Sequence, residues 1–419
     1  MRINKLTSAL AIAGLVTVSS AAFATDGYFS DGYGIKAKGM AGVSIALPQD
    51  ALAAANNPAG MVLIGDRLDL GLDWFRPIRT GTITSPNPYN GSYDANDKKN
   101  FFIPEVGYNK MLNPNMSVGV SVYGNGGMNT SYTKPIPLFS STTKAGIDLS
   151  QLFIAPTFAM KLNSSNAIGV SLNFAYQKFK AYGLQNFDNA GYSSSPGNVT
   201  DKGYDSATGW GVKVGWNGQV TQDLSLGVTY QSKTSMGKLD KYKGLFAEQG
   251  GFDIPENYGA GFAWKAAPGW TVAGDYKHIS YSKVAAVGNS VNCLFAGTCK
   301  LGAGNGAGFG WRDMDVYKLG VSYEYNKDLT LRAGYSYGKQ PIPESQTLFN
   351  MLAPAVNNDH LTLGATWTLA NKAELSFAYM HAFDNTVSGS NSIPASFGGG
   401  NANLKMYQDS LGVAYGMKF

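Results

Sequence analysis

Asn166-Ala167-Ile168-Gly169-Val170-Ser171-Leu172-Asn173-Phe174-Ala175-Tyr176-Gln177 decides the fold. Successive strand side chains point to opposite faces, so Ile168, Val170, Leu172, Phe174 and Tyr176 share one side. Gly169, Ser171, Asn173 and Gln177 take the other. The same alternation sets Met116, Val118, Val120 and Val122 against Ser117, Gly119 and Ser121. It returns as Trp210, Val212, Val214 and Trp216 against Gly211 and Lys213, and as Leu224, Leu226, Val228 and Tyr230 against Ser225 and Thr229. A strand with one apolar and one small or polar face suits lipid outside and a polar interior.

Working outward, this period predicts about fourteen strands, near 66–76, 101–111, 115–124, 149–162, 166–180, 205–217 and 222–233 in the first half. The second half adds 256–265, 269–282, 313–326, 328–338, 359–369, 373–384 and 405–419. Short links at Asn113-Pro114-Asn115, 163–165, 218–221, 266–268, Lys327 and Asn371-Lys372 alternate with long segments such as 125–148, 181–204, 234–255 and 283–312. An even strand count with alternating short and long links is what a closed barrel in an outer membrane requires. The expected fold class is all-β, a 14-stranded antiparallel transmembrane β-barrel over residues 66–419. Its last strand ends on Phe419, which resembles the aromatic terminus of bacterial outer-membrane barrels.

Composition agrees with that reading. Charged residues make up 15% of the chain, against about 25% in soluble domains. Arg2, Lys5, the apolar stretch Ala9 to Val18 and Ala22-Phe23-Ala24 read as a secretory signal peptide, residues 1–24. No later apolar run reaches the length of a membrane-spanning helix, which excludes a helical inner-membrane protein. The excess of 33 basic over 28 acidic residues is too slight to imply nucleic acid. Cys293 and Cys299 share one Gly-rich stretch, and in an exported chain they are expected to form a local disulfide. No histidine lies near them, so no metal site and no cofactor is expected.

Residues 25–65 break the strand pattern. They are rich in Gly and Ala, Asp50 can cap a short helix, and Asn56-Asn57-Pro58 ends it. A barrel of this strand count has a lumen wide enough to need filling, so the segment is expected to plug it. Gly34, Lys36, Gly39 to Gly42, Asp50-Ala51 and Asn57-Pro58-Ala59-Gly60 resemble the N-terminal hatch of the long-chain fatty acid transporters of FadL/TodX type. That resemblance implies passive uptake of hydrophobic compounds, foremost long-chain fatty acids, by a monomer in the bacterial outer membrane. It also implies a hatch rearrangement at Asn57 to Gly60, and a third strand that bends inward to open the barrel wall for lateral release. Here the bend falls on Gly124-Asn125-Gly126-Gly127, where the glycines permit a bulge.

The long loops offer exposed apolar residues for ligand capture: Leu239, Tyr242, Leu245, Phe246 and Phe252 in one, Met128, Leu138 and Phe139 in another. By parity Lys213, Lys265, Lys318 and Arg332 face the lumen, where a carboxylate-bearing ligand would need a cation, and Asp69, Asp73, Glu105 and Glu324 could pair with them. The expected partners are a hydrophobic small molecule and the surrounding lipid and lipopolysaccharide. Uptake of monoaromatic or other small hydrocarbons, or general diffusion as a porin, are the alternatives. An enzyme is not expected, because His278, His360 and His381 lie on separate strands near the rim with no nucleophile motif beside them.

Overall fold

The computed structural model describes residues 25–86 and 89–419, so the expected leader, residues 1–24, lies outside the described residues. The first strands are β1 (Arg67–Thr84), β2 (Gly91–Asp94), β3 (Phe101–Asn113), β4 (Met116–Pro135), β5 (Lys144–Lys161) and β6 (Asn166–Tyr182). They continue as β7 (Asp205–Gln219), β8 (Leu224–Gln231), β9 (Ser235–Met236), β10 (Asn257–Ala267) and β11 (Trp270–Ile279). The last are β12 (Met314–Glu324), β13 (Leu329–Gly338), β14 (Asp359–Thr368), β15 (Glu374–Val387) and β16 (Asn401–Lys418).

β16 returns to β1 in one antiparallel ladder from Arg67↔Lys418 to Thr84↔Asn401, which closes the sheet. β2 pairs only with the outer end of β1, and β9 only with β7. The wall is therefore a closed barrel of fourteen antiparallel strands. Closure pairs each wall strand with a neighbour on both sides, the condition for crossing a bilayer with strands. Apolar side chains of the alternating set face outward, with Ile168 38% and Phe174 49% exposed, while Ser171, Asn173 and Gln177 are buried inside.

Every residue from 25 to 46 is buried, because the segment ahead of β1 lies inside the barrel. It folds as a short helix (Ile35–Lys38), a second (Ala53–Asn56) and a 3-10 turn (Pro58–Leu63). It packs backbone-close against inward glycines of the wall. A methyl group on Gly169 would stand 2.4 Å from the Pro58 carbonyl carbon, and one on Gly215 would stand 1.9 Å from Asn57 Oδ1. Small residues at these wall positions are what let the segment fit.

The wall has one local irregularity that matters. β3 and β4 pair only from Asn113↔Met116 to Val106↔Val122, although β3 continues to Phe101 and β4 to Pro135. Beyond Val122, β4 pairs with β5 through Gly124↔Leu152, Gly126↔Gln151 and Gly127↔Ser150, and Asn125 is left out as a bulge. The N-terminal segment reaches this place: Gly127 N donates to Tyr28 O at 2.9 Å and Ser30 N to Asn125 O at 3.2 Å. Strand structure thus runs through residues expected to begin a loop, and Met128 lies on β4 rather than in a loop.

Candidate functional site

The Asn57-Pro58-Ala59-Gly60 turn is held by one side chain used at every polar atom. Asn57 Oδ1 accepts from Ala59 N (3.1 Å), capping the 3-10 turn, while Nδ2 donates to Ile45 O (2.8 Å) and Trp216 O (2.9 Å). Pro58 follows at the first helical position, where its missing N–H costs nothing. The triplet therefore ties two stretches of the segment to β7. Asp50 does not cap the Ala53–Asn56 helix; its Oδ1 accepts from Leu52 N at 3.0 Å. Burial first, and then the neighbouring Asp69, push the Asp50 carboxyl up to about 6, against the pull of Lys36 and Arg67.

Inward carboxylates of the wall grip the segment. Glu105 accepts from Gly34 N (3.1 Å) and Ile35 N (3.0 Å), Asp275 from Ser44 N (2.8 Å) and Ile45 N (3.0 Å), and Asp69 from Ala51 N (2.8 Å). Asp73 pairs with Lys38, and Glu374 with Lys36 at 2.5 Å. Asp275 and Glu374 were missed from sequence, although Asp275 shares the inward parity of Ala273.

The four expected lumen cations separate. Lys318 pairs with Asp31 (2.8 Å) and Asp26 (3.0 Å), and Arg332 bonds Gln49 (2.9 Å) and Thr366 (2.7 Å). Lys213 is buried and donates to Ala55 O. Lys265 stands apart: it is exposed at the end of β10, beside the register shift between Lys265 and Ala267, and Glu324 is exposed likewise. His360 is corrected, since it is buried and meets Ser336 Oγ at 3.2 Å, unlike a rim residue.

Lys213 faces a cavity with Lys277, which the sequence reading did not single out. Phe29, Tyr33, Asn125, Gln231 and Asp275 complete this part of the lining. Lys277 stands over the Phe29 ring at 5.1 Å, and neither lysine has an ion-pair partner among the described residues. Gln231 Nε2 is buried there without a hydrogen-bond acceptor among the described residues. The cavity thus presents two lysine side chains without ion-pair partners among the described residues and a free amide donor beside the bulge at Asn125. The inward parity of Asp275 and Lys277 was the signal available for it.

Above this lies an apolar cleft lined by Phe139, Phe179, Phe187, Leu245, Phe246 and Phe349. The expected capture residues are corrected in exposure: Leu239, Tyr242, Phe246, Phe252, Met128, Leu138 and Phe139 are all buried, and Leu245 is partly so. Burying them removes apolar surface from water, which exposed loops would forgo. Phe139, Leu245 and Phe246 line the cleft from inside instead. Its free space, about 30 Å³, holds a water or two, so a larger guest requires side chains to move. A disulfide joins Cys293 to Cys299 across the end of the Asn292–Phe295 helix, whose Phe295 packs on Phe349 and Phe397.

Comparisons with known proteins place this geometry. Residues 11–419 match the model of the family described as outer membrane protein transport protein (OMPP1/FadL/TodX). The long-chain fatty acid transport protein of Escherichia coli O6:H1 is 24% identical over 432 residues, covering 89% of this chain and 90% of that one. Among solved structures, a Pseudomonas aeruginosa FadL homologue superposes with a TM-score of 0.73 at 15% identity, covering 94% of this chain and 100% of that one. The P. putida toluene transporter TodX gives 0.70 at 19% identity, covering 93% of this chain and 99% of that one.

Proposed function

This chain belongs to the outer membrane protein transport family (OMPP1/FadL/TodX), whose barrels carry hydrophobic substrates across the bacterial outer membrane, and we propose that it takes up long-chain fatty acids. The observation that carries this reading is the pairing of an apolar cleft with the unpaired Lys213 and Lys277 below it. An acyl chain gains about 25 cal/mol per Å² of surface buried in the cleft, and its carboxylate meets two ammonium groups in a charge-assisted contact. The name of the Escherichia coli relative supports the same substrate.

On this account the N-terminal segment acts as a hatch that rearranges around Asn57 to Gly60, and transfer is passive. The acid passes from the cleft to the lysine cavity, then leaves sideways where β3 and β4 part and Tyr28, Phe29 and Asn125 meet. The protein works as a monomer, since one chain supplies cleft, cavity and opening. Uptake of monoaromatic hydrocarbons is the second reading, favoured by the uncharged cleft and by the named substrate of the P. putida neighbour.

Equilibrium binding of oleate and oleyl alcohol to purified protein separates the two. The double variant Lys213→Gln, Lys277→Gln is expected to weaken oleate binding by about tenfold, ~1.4 kcal/mol, and to leave oleyl alcohol unchanged. Equal loss of both ligands, or of neither, removes the lysines from the account and favours the hydrocarbon reading.

A further inference from the structure

Outside the transport route, the outer rim of the barrel is charged unevenly. On β6 the outward series Ile168, Val170, Leu172, Phe174, Tyr176 faces lipid, and the next two outward positions are Lys178 and Lys180. An aromatic belt followed by cations marks the height of the lipid headgroups. The two ammonium groups converge on one ring: Lys178 lies 4.1 Å and Lys180 4.6 Å from the centre of Tyr204. Lys98, on the stretch between β2 and β3, brings a third ammonium into the field of Lys180. None of the three has an ion-pair partner among the described residues. Asp148, the carboxylate beneath them, is buried and already accepts the Tyr204 hydroxyl at 2.8 Å.

Elsewhere on the rim, tyrosines donate to carboxylates instead of bearing cations. Tyr230 donates to Glu256, Tyr276 to Asp315, Tyr335 to Asp359 and Tyr379 to Asp409. Glu256 is also paired with Lys283, Asp315 with His278 and Asp409 with His381, so a multivalent anion in the outer leaflet meets paired charges there and unpaired ammonium groups at the sector of Lys98, Lys178 and Lys180. That sector borders the place where β3 and β4 part, since the stretch carrying Lys98 leads into β3 and pairs with Ser131 of β4.

We propose that Lys178 and Lys180, held by Tyr204, together with Lys98 form a binding site for the phosphate groups of lipopolysaccharide, seating one such lipid beside the wall opening. Three ammonium donors within reach of one another match the several acceptor oxygens of a phosphate monoester. The site is independent of which hydrophobe is carried.

Native mass spectrometry of the purified full-length barrel tests it, with lipid A carrying both phosphates and the same lipid dephosphorylated as probes. Wild type and the control Lys327→Gln are expected to bind the phosphorylated lipid. Lys178→Gln with Lys180→Gln is expected to bind it at least tenfold more weakly, and Lys178→Arg with Lys180→Arg to restore it. Heat-modifiable gel mobility shows that each barrel is folded; if the double variant is not, Lys98→Gln alone is expected to lower binding severalfold. Equal binding of the dephosphorylated lipid, or undiminished binding by the glutamine variants, overturns the proposal. So does displacement of the lipid by oleate, which would make these lysines a stop for the transported carboxylate.

Discussion

At the residue scale, the chemistry rests on a few side chains whose surroundings decide their work. Asn57 spends both amide hydrogens and its oxygen on holding the hatch, which is why this residue type stands before Pro58. Asp50 is held at a cost. Its value of about 6 lies above the usual ~3.9, so between those pH values the folded chain keeps a proton that the unfolded chain has lost. Its contribution to stability is complete below about pH 4 and is lost as pH rises through 6. Asp50→Asn is therefore expected to raise the unfolding temperature at pH 7.5, by no more than ~3 kcal/mol in stability, and to change nothing at pH 4. An equal effect at both pH values would contradict this. Lys277 shows what sequence parity alone leaves out. Its direction was legible, but whether an inward lysine is paired depends on which hatch carboxylates reach it, and those contacts are hundreds of residues apart in the chain.

At the element scale, strands were legible because lipid imposes a period of two on every crossing. Each of the fourteen expected segments lies on a wall strand. Their outer ends were not, since β1, β4 and β5 extend past the bilayer, where no apolar face is required. The loops were misjudged for the same reason in reverse: Leu239, Phe246 and Phe252 are apolar without a period, and only the folded cluster shows that they face inward. The hatch and its wall glycines form one fitted element. Gly169→Val is expected to unseat the Pro58 turn and raise ion conductance through the barrel in planar bilayers, whereas Gly304→Ala, with open space around it, is expected to leave conductance unchanged. Identical conductance in both variants would mean that the hatch is not what closes the lumen.

At the scale of the whole molecule, a closed barrel whose lumen is packed from residue 25 onward offers a hydrophobe no straight path to the periplasm. On the proposed route, the parting of β3 from β4 beyond Val106↔Val122 is the way out, toward the bilayer in which the hydrophobe is soluble. The sequence carried the fold and the family, because both are written in periodicity and in the hatch motif. It did not carry the substrate, which depends on a cleft and a cavity assembled from distant loops and strands. The most direct test is the uptake of labelled oleate and labelled toluene by cells lacking this chain, with and without its restoration. The account predicts that restoration speeds oleate uptake and leaves toluene unchanged. Faster uptake of toluene alone, or of small sugars with neither hydrophobe, would contradict it.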